Sequence, residues 1–355
     1  MESLVDLLRF FKGRKVLITG HTGFKGSWLT KILLLSGADI IGYSLKPTTS
    51  PNLFGLLDIE NKIVSIIGDI RDYDKLLNVF DRYQPEFVFH LAAQPIVRES
   101  YKEPRYTYDV NVMGTVNILE CARNTKCVKG IINVTTDKVY QNIDENNYSY
   151  KEDDKLNGFD PYSNSKSCSE LVTDSYNKSF LKNQDIRVST VRAGNVIGGG
   201  DFSRDRIIPD CIKSLINDNE MIIRNPSSIR PYQHVLEPLF CYLHICKQQL
   251  LNGAYCGSYN VGPNEEDCVT TENLVKLFNQ HFPDSFKYSI VNDGGPHEAS
   301  FLRLSNSKIK SIFAWQPKLI INEAVKLTAE WVDSYLKGED INKVTEEQIL
   351  AYIAK

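Results

Sequence analysis

Short apolar runs alternate with longer amphipathic stretches along the first half of the chain. Lys15-Val16-Leu17-Ile18-Thr19, Asp39-Ile40-Ile41-Gly42-Tyr43-Ser44, the apolar run closing at Gly68-Asp69-Ile70, and Phe87-Val88-Phe89-His90-Leu91-Ala92-Ala93-Gln94 each read as a strand buried on both faces. Apolar residues at helical spacing predict a short amphipathic helix over 4–11, a helix over 27–35, and two long helices over about 106–124 and 162–182. Strands and helices alternating from Lys15 to about Val191 predict an α/β fold, a Rossmann-type doubly wound parallel sheet covered on both faces. The alternation then stops. Arg192-Ala193-Gly194-Asn195-Val196-Ile197-Gly198-Gly199-Gly200-Asp201 is glycine-rich without a strand-to-helix context and reads as a loop that bends around something. The expected division is a first domain over 1–191, to which part of 235–265 returns, and a smaller C-terminal lobe over 192–355.

Composition narrows the class. A chain of 355 residues, 42% hydrophobic, can bury one large core and a smaller lobe. A formal net charge of −3 with no basic stripe gives no electrostatic footprint for nucleic acid. The first residues, Met1-Glu2-Ser3-Leu4-Val5-Asp6, carry acids where a signal peptide needs bases, and Ser36-Gly37 and Asp39 interrupt the longest apolar candidate for a membrane span. A cytoplasmic protein without membrane association is the expectation. The eight cysteines form no Cys-x-x-Cys pair and no histidines sit at ligand spacing, so free thiols and no metal are expected, with Cys121, Cys168 and Cys246 packing in helices.

The first strand runs into Gly20-His21-Thr22-Gly23-Phe24-Lys25-Gly26 and then a helical run. Strand, glycine turn and helix start follow in the order that aims backbone N–H groups at a pyrophosphate, with the Gly-x-x-Gly-x-x-Gly spacing of short-chain dehydrogenases. This makes residues 1–191 a candidate NAD-binding domain. An acid that would grip a ribose hydroxyl is missing after Tyr43; Ser44 and Lys46 occupy that region, so the ribose site itself leaves NADP open and the type of reaction favours NAD. Asp69, with Ile70, is placed to accept from an adenine amino group, or else is a helix-start acid. Small Ala92 and Ala93, next to Gln94, would let a dinucleotide approach, and His90 reads as a packed strand residue.

Thr135-Thr136-Asp137-Lys138 and Tyr162-Ser163-Asn164-Ser165-Lys166 carry the candidate chemistry. A Tyr-x-x-x-Lys pair on a helix puts both side chains on one face, where the ammonium can depress the phenol and make a base. Removing a hydride with a proton needs that pair and the Thr136 hydroxyl. The adjacent Asp137 and Lys138 suggest further acid–base work such as expelling water, unless they are a solvated loop pair. A 4-epimerase would not need that acid, and a non-catalytic dinucleotide sensor would not need Tyr162 and Lys166. In the C-terminal part Arg224, Arg230-Pro231-Tyr232-Gln233-His234 and Pro296-His297-Glu298 offer guanidiniums suited to a sugar nucleotide diphosphate, or surface ion pairs.

The motif from Gly20 to Gly26 with Trp28, Ala92-Ala93-Gln94-Pro95-Ile96-Val97-Arg98, Thr136-Asp137-Lys138, Asp160-Pro161-Tyr162-Ser163, Arg192 to Asp201, Asp205-Arg206-Ile207-Ile208-Pro209, Arg230 to Pro238 and Pro296-His297-Glu298-Ala299 resemble the CDP-glucose 4,6-dehydratases of the extended short-chain dehydrogenase/reductase family, from about Phe10 to Tyr335. The resemblance implies bound NAD, a C-terminal nucleotide-sugar lobe, a homo-oligomer (dimer or tetramer), and conversion of a CDP-sugar to its 4-keto-6-deoxy form for deoxysugar and lipopolysaccharide O-antigen synthesis. It implies Tyr162 as base for the C4 hydroxyl with Lys166 and Thr136 beside it, Asp137 as acid for the C6 hydroxyl, and Lys138 as the base at C5, where related dTDP-glucose enzymes carry glutamate. Gly20, Gly23, Phe24, Lys25, Gly26, Asp69, Ile70, Ala92, Ala93, Gln94 and Thr135, with Tyr162 and Lys166, would hold the cofactor. Asn195 and Arg230 would meet the diphosphate, Arg206 the nucleotide, Gln94 and Arg98 the sugar, with His234 and His297 completing the pocket. Thr136 stands where serine is common, and Phe202 and Tyr232 where tryptophans are common.

Overall fold

A computed structural model of the chain describes residues 3–143, 148–291 and 301–355. Seven strands form one sheet: β1 (Lys15–Thr19), β2 (Asp39–Ser44), β3 (Val64–Ile67), β4 (Phe87–His90), β5 (Gly130–Val134), β6 (Arg187–Ala193) and β7 (Ser258–Val261), in the order β7-β6-β5-β4-β1-β2-β3. Every pairing is parallel, with Val16 opposite both Ile40 and Phe87. The strand order reverses at β1, so a crevice opens beyond the carboxyl ends of β1 and β4, where open α/β sheets bind ligands. Val16, Leu17, Ile18, Phe87, Val88 and Phe89 are fully buried, as central strands covered on both faces must be.

The helix after β1 starts at Phe24, inside the glycine motif rather than at Ser27, and stops at Ser36 because Gly37 takes the left-handed conformation (φ +77°). Strand β4 ends at His90; residues 91–94, expected to continue it, leave the sheet, and Leu91, Ala92 and Ala93 border the crevice. The helix expected over 106–124 is built of Pro104–Tyr108, a π turn at Asp109–Met113, and Gly114–Asn124. The second long helix runs Pro161–Ser179, with Asp160 accepting from the Ser163 N–H and proline in the first turn. A polar seam locks these two together: Asn111 Nδ2 donates to Ser165 Oγ at 2.9 Å, and Thr115 Oγ1 lies 2.9 Å from Ser169 Oγ.

Two features of the later chain matter for the site, the first a departure from the sequence pattern. Residues 192–201 are not one loop: Arg192 and Ala193 finish β6, and Val196–Ile197 pairs with Gln233–His234 in a two-residue parallel ladder. The chain also returns to the sheet, with helix Leu236–Leu251 packed on β5 and β6 and β7 added beside β6. Trp28, buried from solvent, donates from Nε1 to the Gly199 carbonyl at 3.0 Å and so ties the first crossover helix to that loop. All eight cysteines are free. Among the described residues no helix is long and apolar enough to cross a membrane, and no cluster of His, Cys, Asp or Glu is placed to hold a metal.

Candidate active site

Strand β5 ends at Val134 and delivers Thr135-Thr136-Asp137 to the mouth of the crevice. Asp137–Val139 makes a single 3₁₀ turn capped by Thr136. Thr136 Oγ1 donates to Asp137 Oδ1 at 2.9 Å and accepts from the Lys138 N–H at 3.4 Å. Asp137 is 3% exposed and its Oδ2 has no partner among the described residues. Burial raises the Asp137 carboxyl above the usual range, against the opposing pull of Lys138, Thr136 and Arg230.

Tyr162 opens the following helix and Lys166 lies one turn on, both buried. The Lys166 Nζ donates to the Val134 carbonyl at 3.0 Å. Burial, helped by the charge of Lys25, brings Lys166 down to about 7, with Glu170 opposing. The same burial brings Lys25 down to about 8. The expected depression of the Tyr162 phenol is reversed by the protein groups: burial pushes it up to about 12, and what opposes this is a hydrogen bond with Thr136 and the charge of Arg206. Lys166 is turned to a carbonyl of β5, which leaves desolvation as the larger effect on the phenol.

A cavity of about 320 Å³ joins these groups to the C-terminal lobe, with walls that include Lys25, Arg98, Thr135, Thr136, Asp137, Lys138, Tyr162, Lys166, Asn195, Arg206 and Arg230. A second, of about 220 Å³, runs along the glycine motif past Gly20, Gly23, Ser44, Lys46, Asp69, Ile70, Ala92 and Ala93. Phe24, Leu91, Ala93, Pro95 and Asp201 border both, so the two form one groove. Gly23 lies on its wall, and a Cβ there would meet only the Gly20 carbonyl, at 3.3 Å; the space a side chain would take belongs to the groove. Gly20 (φ +76°) and Gly26 are needed for a different reason, since a Cβ on either would run into backbone of the turn or of residues 91–92. At the far end Asp69 is forked by Arg71, with Nη2 at 2.7 Å and Nε at 3.0 Å, and Ser44 Oγ lies 2.9 Å from Thr22 Oγ1.

Three expected residues need separate statements. His234 is not in the cavity: its two-residue strand turns the ring into the core, edge-on to Trp28 with centroids 6.0 Å apart, and burial holds it neutral, down to about 3. Gln94 is not on the walls either; it braces the 94–96 turn by accepting from the Ile96 N–H at 2.6 Å and donating to Thr107 Oγ1 at 2.9 Å. His297 lies outside the described residues. His90 packs as a strand residue, its Nδ1 2.8 Å from Thr19 Oγ1. Sequence reasoning missed the buried pair Glu170–Arg192 (2.9 Å) behind the Thr135-Thr136-Asp137 turn; the four-residue spacing from Lys166 to Glu170 was the available signal.

Comparison with known proteins agrees with this geometry. The family model described as GDP-mannose 4,6 dehydratase matches residues 17–328. The CDP-glucose 4,6-dehydratase of Salmonella typhimurium is 41% identical over 351 residues, covering 97% of this chain and 98% of its own. The dTDP-glucose 4,6-dehydratase of Haemophilus influenzae is 26% identical, over 89% of this chain and 97% of its own. Among solved structures, an epimerase from Methanothermobacter thermautotrophicus superposes with a TM-score of 0.81 at 22% identity, covering 96% of this chain and 97% of that one. The dTDP-glucose 4,6-dehydratase of Bacillus anthracis, in complex with NAD, gives 0.74 at 22% identity, with 94% and 100% coverage. These two establish the fold.

Proposed function

The chain belongs to the GDP-mannose 4,6-dehydratase family, and from that premise we propose that it is a cytoplasmic hydro-lyase converting CDP-D-glucose to CDP-4-dehydro-6-deoxy-D-glucose with NAD. The observation that carries the reading is the hydrogen-bonded row Tyr162, Thr136, Asp137 on the wall of the 320 Å³ cavity. A base, a hydroxyl and a buried acid in one row serve both an oxidation and a loss of water.

The groove fits NAD: Gly23 leaves room beside the glycine turn, Ala92 and Ala93 keep the opposite wall thin, and Lys166 and Tyr162 line the cavity into which the groove leads. Bound there, NAD would accept hydride from sugar C4 and later return it to C6. Tyr162 takes the C4 hydroxyl proton as its phenolate, which the Thr136 hydrogen bond and the charge of Arg206 favour against burial. The resulting 4-ketone acidifies C5, whose proton passes to Lys138. Asp137, whose carboxyl burial raises, donates in its protonated form to the departing C6 hydroxyl, and water leaves. Lys138 then returns its proton to C5. The proton that Tyr162 holds travels through the Thr136 hydroxyl to recharge Asp137, 2.9 Å beyond. Each group ends in its starting state and one water has been lost. Arg98, Arg206, Arg230 and Asn195 bind the sugar and diphosphate side.

A 4-epimerase on the same fold has no use for an acid raised by burial, and Asp137 disfavours it. The test is incubation of the purified protein with NAD and, in turn, CDP-, dTDP-, GDP- and UDP-hexoses. A 4-keto-6-deoxy product from CDP-glucose is expected. A C4 epimer instead, or product only from another nucleotide, would replace this reading.

A further inference from the structure

The helix bearing Tyr162 and Lys166 carries one more charge on the same face. Tyr162, Lys166 and Glu170 follow at four-residue spacing and so lie along one stripe. Glu170 is buried and turned to the sheet. Its Oε1 accepts from the Thr135 hydroxyl. Its Oε2 accepts from Thr190 Oγ1 at 2.6 Å, Arg192 Nη2 at 2.9 Å and Ser258 Oγ at 3.4 Å. Arg192 in turn donates from Nη1 to the Tyr140 hydroxyl at 2.8 Å and the Glu152 carbonyl at 2.9 Å. One ion pair thus joins the helix, the end of β5, β6 and β7. Well-packed apolar groups can often replace a buried pair without loss of stability, so packing alone does not account for charges here.

We propose that Glu170, held by Arg192, is a positioning residue: it pins the Thr135-Thr136-Asp137 turn to the helix of Tyr162 and Lys166 and supplies a fixed negative charge on the stripe that carries Lys166. The inference rests on the dehydratase reading above, in which Tyr162 works beside a charged Lys166. Facing Lys166 are Lys25 from the helix after β1, the Val134 carbonyl of β5, His90 of β4, which burial holds neutral, and Tyr162 and Glu170 of its own helix. Burial and Lys25 favour the neutral amine; Glu170 favours the ammonium. Without that carboxylate Lys166 loses its proton at lower pH. The Thr135 hydroxyl loses its anchor at the same time, one residue from the Thr136 that touches both Tyr162 and Asp137.

The experiment compares wild type, Glu170→Gln, Glu170→Asp and the double variant Glu170→Gln/Arg192→Met, which leaves no unpaired buried charge. In the Gln and double variants kcat for CDP-glucose should fall roughly tenfold to 10²-fold, the scale of a slight misplacement of reacting groups. KM should stay within about threefold, and the alkaline limb of the kcat profile should move to lower pH. Glu170→Asp keeps the charge but shortens the reach, so its limb should stay in place while kcat falls. Folded Gln or double variants with wild-type kcat and an unmoved limb overturn the proposal. A fall in kcat that tracks Tm with an unmoved limb overturns it too, because it marks a prop without electrostatic influence. If Glu170→Gln does not fold, the double and Asp variants decide. Wild type inert toward CDP-glucose overturns the substrate instead, and the same profiles are then measured on the sugar nucleotide it does convert.

Discussion

At the scale of single residues, the deciding feature is the Asp137 carboxyl, kept from water next to the Thr136 hydroxyl that also bonds Tyr162. Asp137→Asn keeps the size of the side chain but removes the transferable proton, so oxidation at C4 should persist while water loss slows by on the order of 10²-fold or more. Rapid mixing with CDP-glucose should then show reduced-nicotinamide absorbance building up and decaying slowly. Unchanged turnover without that transient would remove Asp137 from the acid role. That Thr136, Asp137, Lys138, Tyr162 and Lys166 come together on one cavity wall was legible in the sequence, because each needs only its neighbours: a strand end, a turn, and one helix face. The phenol's direction was not, because it depends on how completely distant elements bury Tyr162 and on where Lys166 turns. His234 misled for a related reason, since a two-residue ladder carries no periodicity from which to tell the cavity side from the core side.

At the scale of elements, Glu237 clips the helix Leu236–Leu251 to the C-terminal part of the chain. Its Oε1 accepts from the Leu319 and Lys318 N–H groups at 2.7 and 2.8 Å, while Oε2 is buried near the Tyr352 hydroxyl. Burial pushes this carboxyl from 4.5 up to about 7, against those hydrogen bonds. Folding therefore takes up a proton here. The stabilisation is complete below about pH 4.5 and is lost as pH rises through about 7, a change on the order of 3 kcal/mol. Glu237→Gln retains the acceptor for residues 318 and 319 and cannot ionise. Its melting temperature should vary less than that of wild type across this window and exceed it at about pH 8, measured by calorimetry at several pH values. Parallel wild-type and variant curves would show that Glu237 is not the group that titrates.

At the scale of the whole molecule, the alternation of strands and helices was enough to read a parallel sheet and its crevice, because each crossover obeys a local pattern. A return to the first domain within 235–265 was expected, but the place of the seventh strand was not: Ser258–Val261 joins β6 after the chain has left the sheet and come back, a long-range pairing whose partner a short apolar run does not announce. What lies outside one subunit can be argued from the long helices. Asn164, Cys168 and Leu171 share one helix face by their spacing, Tyr108 donates to Asn164 Oδ1 at 2.9 Å, and Tyr108, Met113 and Leu171 stay exposed, Leu171 at 57%. Apolar side chains of that size, exposed on helices already packed on their other side, suit pairing with the same helices of a second copy. The wild-type protein should then sediment at twice or four times its 40.4 kDa subunit mass. Leu171→Glu would bury a charge in the helix pairing and should shift the distribution toward 40.4 kDa at micromolar concentration, with far-ultraviolet dichroism unchanged. Wild type found only at the subunit mass would rule out pairing through these helices, and a variant that stays assembled would move the interface to another face of the molecule.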